Sequence, residues 1–141
     1  MREPLWISEA IARAIHSDQI AQHGGSPGIR DENLLSASLA RPRHLFVYGQ
    51  PTLFDLAAAY GYGLAKNHPF IDGNKRVAFA VMATFLEVNG YSLDVPEMDV
   101  VVMMERLATD QESQNAIDGT SRYANAKWLE ANVGTSFDDP Y

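Results

Sequence analysis

Residues 68–86 read HPFIDGNKRVAFAVMATFL, and this stretch decides the fold. Its second half, Val77 to Leu86, is apolar on nearly every side apart from Thr84. A helix of that kind must be enclosed by other elements, so it is expected to be the buried centre of an all-α, single-domain helical bundle. The first half is a loop opened by Pro69, and Gly73 or Asn74 begins the helix. Asn89-Gly90 supplies its C-terminal stop.

Working outward, Ser8 is placed to cap a first helix with Ile11, Ala14 and Ile15 on one face, ended by Gly24-Gly25. Residues 24–30 (GGSPGIR) form a compact loop with three glycines and a proline. Asp31 caps a short helix carrying Leu34, Leu35 and Leu39, expected to stop before Pro42. Arg41 to Pro51 (RPRHLFVYGQP) mixes β-branched and aromatic residues between prolines, which predicts an extended flap or short β-hairpin. Thr52 and Asp55 make a capping box for a helix with Leu53, Leu56, Ala57, Tyr60 and Leu64. Asp94 and Pro96 start another, with Val100, Val101, Met104 and Leu107 inward, and a last helix runs from Thr120 to Asn132. The expected domain is 1–133, with a mobile tail over 134–141.

The whole chain has 141 residues and a net charge of −7, enough for one self-supporting core. With no cysteine, disulfides, zinc ribbons, Fe–S clusters and a thiol nucleophile are excluded. The four histidines show no H-E-x-x-H spacing. Eleven basic against 18 acidic residues disfavour direct nucleic-acid binding. Val77 to Leu86 is too short for a bilayer, and Glu3, Pro4 and Glu9 do not resemble a secretory signal. The expectation is a cytoplasmic protein without a membrane partner.

The chemistry lies in His68 to Arg76. The free N–H groups at the start of the helix, near Gly73, Asn74 and Lys75, favour an anion, and Gly73 lets a phosphate approach the backbone. Lys75 and Arg76 add two positive side chains where the helix dipole disfavours them, which makes sense if a polyanion such as a nucleotide phosphate neutralises both. Asp72 can hold Mg²⁺, and His68 stands where a general base could take a hydroxyl proton. Each feature alone is ordinary: a loop histidine, a turn, a solvated basic pair, and in Phe70 a core anchor. Together, within nine residues, they describe phosphoryl or nucleotidyl transfer.

His68-x-Phe70-x-Asp72-Gly73-Asn74-Lys75-Arg76 resembles the signature of the Fic/Doc family, H-x-F-x-[DE]-[GA]-N-[GK]-R, at all seven defined positions. Lys75 stands where Fic proteins usually have glycine and resembles the Doc (death-on-curing) toxin branch. Phe79 replaces the second arginine common in Fic proteins, again as in Doc, whereas Gly73 is Fic-like. The likeness runs from about His23 to Gly90. It implies a Fic-like fold, ATP and Mg²⁺ as cofactors, and a bacterial toxin neutralised by a separate antitoxin chain. In Doc the γ-phosphate of ATP goes to a threonine of elongation factor Tu and translation stops; Fic enzymes transfer AMP instead. The resemblance casts His68 as base, Asp72 as Mg²⁺ ligand, Gly73 and Asn74 as phosphate holders, and Lys75 and Arg76 as the triphosphate clamp. The side chain of Lys75 in the phosphate nest should shift the triphosphate, which favours γ-phosphoryl transfer.

The inhibitory pattern [ST]-x-x-x-E-[GN] of many Fic proteins has no match, so inhibition is expected from outside. The first helix and the 24–30 loop are the expected antitoxin groove, and Arg41 to Pro51 the target-docking flap. Trp6, Tyr123 and Trp128 are interface candidates for which core packing is the stronger reading. Adenylyl transfer, a non-catalytic binding module and a DNA-binding repressor remain as alternatives, the last weakened by the acidic charge.

Overall fold

The computed structural model describes residues 2–109 and 125–135. Its helices are α1 (Glu9–His23), α2 (Glu32–Tyr48), α3 (Leu53–Asn67), α4 (Asn74–Val88), α5 (Glu97–Thr109) and α6 (Asn125–Ala131). Two short strands, β1 (Tyr91–Leu93) and β2 (Val133–Thr135), pair antiparallel, Ser92 opposite Gly134. The fold is therefore the expected all-α bundle with a minimal sheet. No helix among the described residues is long and apolar enough to cross a membrane.

Local chemistry accounts for the helix starts. Ser8 Oγ accepts from Ile11 N at 3.2 Å and Asp31 Oδ1 from Leu34 N at 3.0 Å. Thr52 and Asp55 satisfy one another's backbone N–H groups at 3.1 and 2.8 Å, the expected capping box. Gly24 closes α1 with φ 83°.

The centre of the bundle differs from the expectation. It is α3, in which every residue from Leu56 to Ala65 is buried. Helix α4 buries Val77, Ala78, Val81, Met82, Phe85 and Leu86 and leaves Arg76, Glu87 and Val88 in water. The reason is side-chain size. Ala57, Ala58, Ala59, Gly61, Gly63 and Ala65 let neighbouring helices come close on all sides of α3, whereas the long side chains of α4 fill space on one side. A Cβ on Gly63 would lie 3.3 Å from Ser38 Cα of α2.

Helix α2 overturns a second expectation. It continues through the buried Pro42 to Tyr48, so Arg41 to Pro51 is neither flap nor hairpin and offers no strand to a target. A proline inside a helix costs about 3 kcal/mol, so packing must outweigh it. That packing is visible: Trp6 meets Phe46 edge-on at 5.6 Å, Arg43 lies 5.3 Å over Trp6, and Arg41 lies 4.7 Å over Tyr62 of α3.

Smaller differences follow from orientation. On α1 the buried residues are Ala12 and His16, while Ile11 and Ala14 face water. On α5 Met104 is buried, but Val101 is 53% exposed. Trp6 and Trp128 pack against the core. Gly134 and Thr135, expected in the tail, belong to β2. Tyr123, the start of the last expected helix, residues 136–141 and the side chain of Leu107 lie outside what is described.

Candidate active site

Two loops meet at one end of the bundle: 24–31 leaves α1, and 68–73 leaves α3 for α4. Backbone bonds zip them together. Arg30 N and Asp31 N donate to Pro69 O at 2.7 and 3.0 Å, and Ile71 N donates to Gly28 O at 3.1 Å. Ile29 and Phe70 form an antiparallel bridge. Gly25 sits where no side chain fits: at φ 118° its Cβ would be 2.8 Å from Asp72 Oδ2.

Phe70 anchors the 68–73 loop, as its sequence reading expected. It is 1% exposed and stacks on the His16 ring, centroids 4.0 Å apart. His16 is buried and its Nε2 lies 2.9 Å from Asp72 O. A carbonyl only accepts, so that nitrogen carries the proton. The side chain of Asn74 grips the same loop: Oδ1 accepts from Phe70 N and Nδ2 donates to Phe70 O, both at 2.9 Å. Its amide is thus engaged inside the protein, and an incoming phosphate would meet the backbone N–H of Asn74 instead.

Asp72 is placed from both loops. Oδ2 accepts from Ser26 N at 3.1 Å and Oδ1 from Gly73 N at 2.8 Å. These two backbone bonds, Ser26 first, hold its carboxyl below the usual carboxylate value of 3.8, helped by the charge of Arg76. A depressed native pKa contributes stability that is fully present above 3.8 and fades as pH falls through the lower native value. Wild type should therefore exceed Asp72→Asn in urea midpoint at neutral pH, and the gap should close on acidification through that window. A gap independent of pH would show that the two bonds do not favour the carboxylate.

His68 ends α3 with φ 50° and ψ 56°, the one non-glycine residue with positive φ among those described. It is exposed, and among the described residues nothing hydrogen-bonds its ring. Opposite, Gly73 caps α4 in the left-handed region (φ 74°, ψ 20°) with no side-chain cap. The first-turn N–H groups of α4 therefore lack a capping side chain, as an anion site requires. Lys75 Nζ pairs with Glu105 Oε1 of α5 at 2.7 Å, both side chains well exposed. Arg76 is exposed without an ion pair among the described residues. Both basic residues line a cleft of about 710 Å³, shared with His23, Phe79, Asp94 and Val100.

The structure thus gathers His68, Asp72, Gly73, Asn74, Lys75 and Arg76 at the α3–α4 junction. It also brings in His16, Ser26 and Arg30, which the sequence reading passed over. The glycine-rich 24–30 loop was the available signal, but its link to residues 68–73 is a long-range contact. That loop, expected as part of the antitoxin groove, here supports the site, while the cleft opens toward α5.

A family model described as the Fic/DOC family matches residues 6–86. The chain is 49% identical over 73 residues to "Toxin Doc" of Mycolicibacterium smegmatis, covering 50% of this chain and 55% of that protein. It is 36% identical over 87 residues to "Protein kinase doc" of Escherichia phage P1, covering 60% of this chain and 69% of that protein.

Proposed function

This chain belongs to the Fic/Doc family, and on that premise we propose that it is the toxin of a toxin–antitoxin pair, transferring a phosphoryl group from ATP to a hydroxyl of a target protein. The observation that carries this reading is the uncapped, glycine-opened start of α4, bearing Lys75 and Arg76, set beside an exposed His68 and an Asp72 kept ionised. The names of the two relatives, a toxin and a protein kinase, point the same way. The target proposed from the resemblance is a threonine of elongation factor Tu. The partner is a cognate antitoxin.

The residues present fit ATP and Mg²⁺. Among the described residues no three His, Cys, Asp or Glu side chains cluster as a metal site, so Asp72 would share the ion with phosphate oxygens, as Mg²⁺ accepts. When bound, Mg²⁺ supplies charge neutralisation on the phosphates. The first-turn amides of α4, with Lys75 and Arg76, bind and orient the triphosphate. His68 takes the proton of the acceptor hydroxyl as its oxygen bonds to the γ-phosphorus. The bond from that phosphorus to the bridging oxygen breaks, and ADP leaves with the electron pair.

Glu105 competes with the triphosphate for Lys75. An exposed pair of this kind is worth about 0.2–1 kcal/mol, so Glu105→Gln should lower KM for ATP by about 1.4-fold to fivefold. An unchanged KM would mean that the pair is irrelevant to nucleotide binding.

The deciding experiment incubates the chain, elongation factor Tu and Mg²⁺ with ATP labelled at the α or the γ phosphorus. Phosphoryl transfer adds about 80 Da and the γ label to the target. Gly73 is the feature that favours the alternative, AMP transfer, which adds about 329 Da and the α label.

A further inference from the structure

The most conspicuous unexplained feature is the backbone of His68. A non-glycine residue in the left-handed region is held there at a cost of about 1–3 kcal/mol, and only where its surroundings enforce it. Pro69 follows directly and itself disfavours helical conformations at the residue before it. Something must therefore impose φ 50° and ψ 56° on His68.

One residue contacts the whole segment. Arg30 Nη2 donates to Asn67 O and Arg30 Nε to His68 O, both at 2.7 Å. Its backbone N donates to Pro69 O, also at 2.7 Å. Three consecutive carbonyls, 67 to 69, thus point at Arg30. The last carbonyls of a helix have no intrahelical donor, and a cation there suits the dipole. A planar guanidinium spans two carbonyls at once, which a single ammonium does not reproduce. The chain between Arg30 and Asp31 is tied to the same Pro69 carbonyl, so the fork cannot drift away from the turn.

We infer that Arg30 is a positioning residue: its fork holds the α3 end in the left-handed turn that presents the His68 ring to the acceptor hydroxyl. The role rests on the reading of His68 as general base. It is separate from nucleotide binding, because Arg30 points at α3 carbonyls and not at the start of α4.

The test uses the full chain with Arg30→Ala and Arg30→Lys, in two arms. The first needs no activity: the ¹³Cα shift of His68 is read by NMR in wild type and both variants, with far-UV circular dichroism as the folding control. The left-handed shift should be present in wild type and move toward extended values in both variants. The second is kinetic. Displacing a catalytic group by an ångström costs on the order of a hundredfold, so kcat should fall by about 10–100-fold while KM for ATP stays within about twofold. Arg30 is exposed, so added guanidinium ion should restore much of the lost rate in Arg30→Ala, and Arg30→Lys should stay low. An unchanged His68 shift in the folded variants overturns the inference. So does an unchanged kcat, or a rise in KM with kcat intact. If wild type transfers neither phosphorus, the reading of the reaction has failed, and the NMR arm alone decides whether Arg30 sets the turn.

Discussion

His68→Ala should abolish target modification while leaving the protein folded. Removing a general base lowers the rate by about 10²–10⁴-fold. The exposed His68 ring has no hydrogen-bond partner among the described residues, and alanine meets the same left-handed backbone strain that histidine already bears, so stability should change by no more than about 1 kcal/mol. The loss should therefore appear in kcat, with the unfolding temperature and KM for ATP close to wild type. Growth arrest on expression should disappear in parallel. A His68→Ala chain that still arrests growth would replace catalysis with docking as the source of toxicity. One that still modifies the target at the wild-type rate would remove His68 from the mechanism.

Gly61→Val should give a large loss of stability, and the reason lies wholly in packing. Gly61 is in the middle of α3, against Met82 of α4. A Cβ at Gly61 would meet the sulfur of Met82, and it would come within 2.8 Å of both Cγ and Cε. Met82 is fully buried, so in a close-packed core its flexible end can shift only against its neighbours. Overpacking of this kind costs about 1–3 kcal/mol. Valine carries two methyls beyond Cβ and a stiff χ1, so about 3 kcal/mol is expected. At about 4 °C per kcal/mol for a chain of this size, the unfolding midpoint should drop by about 12 °C. Gly61→Val combined with Met82→Ala should recover part of the loss, because the vacated volume accepts the new methyls. A single variant as stable as wild type would show that α3 and α4 are not in close contact there.

The same two regions show how far a linear reading reaches. Helix starts were legible because capping is a local matter: Ser8, Asp31 and Thr52 each bond a backbone group three residues on. The residues at the α3–α4 junction were legible for a similar reason, since nine consecutive residues carry the histidine proposed as base, the carboxylate and the cations. Pro42 misled because its local preference is to stop a helix, and the contacts that override it join Trp6 to Phe46 and Arg43. Apolar bulk along the chain marks α4, whereas enclosure on all sides needs the small residues of α3, a property that only packing reveals.

What the chain's order already contains is the family motif, the cap positions and the charge reversal of Lys75 and Arg76 on an acidic body. These depend on groups within a few residues of one another, so neighbours along the chain suffice to specify them. Folding in three dimensions decides the rest. It sets which helix is enclosed, carries α2 through Pro42, and brings Arg30 to the carbonyls 38 and 37 residues further along the chain. Those contacts arise between segments far apart in sequence. Their energies depend on shape and mutual approach, which no stretch of residues read alone contains.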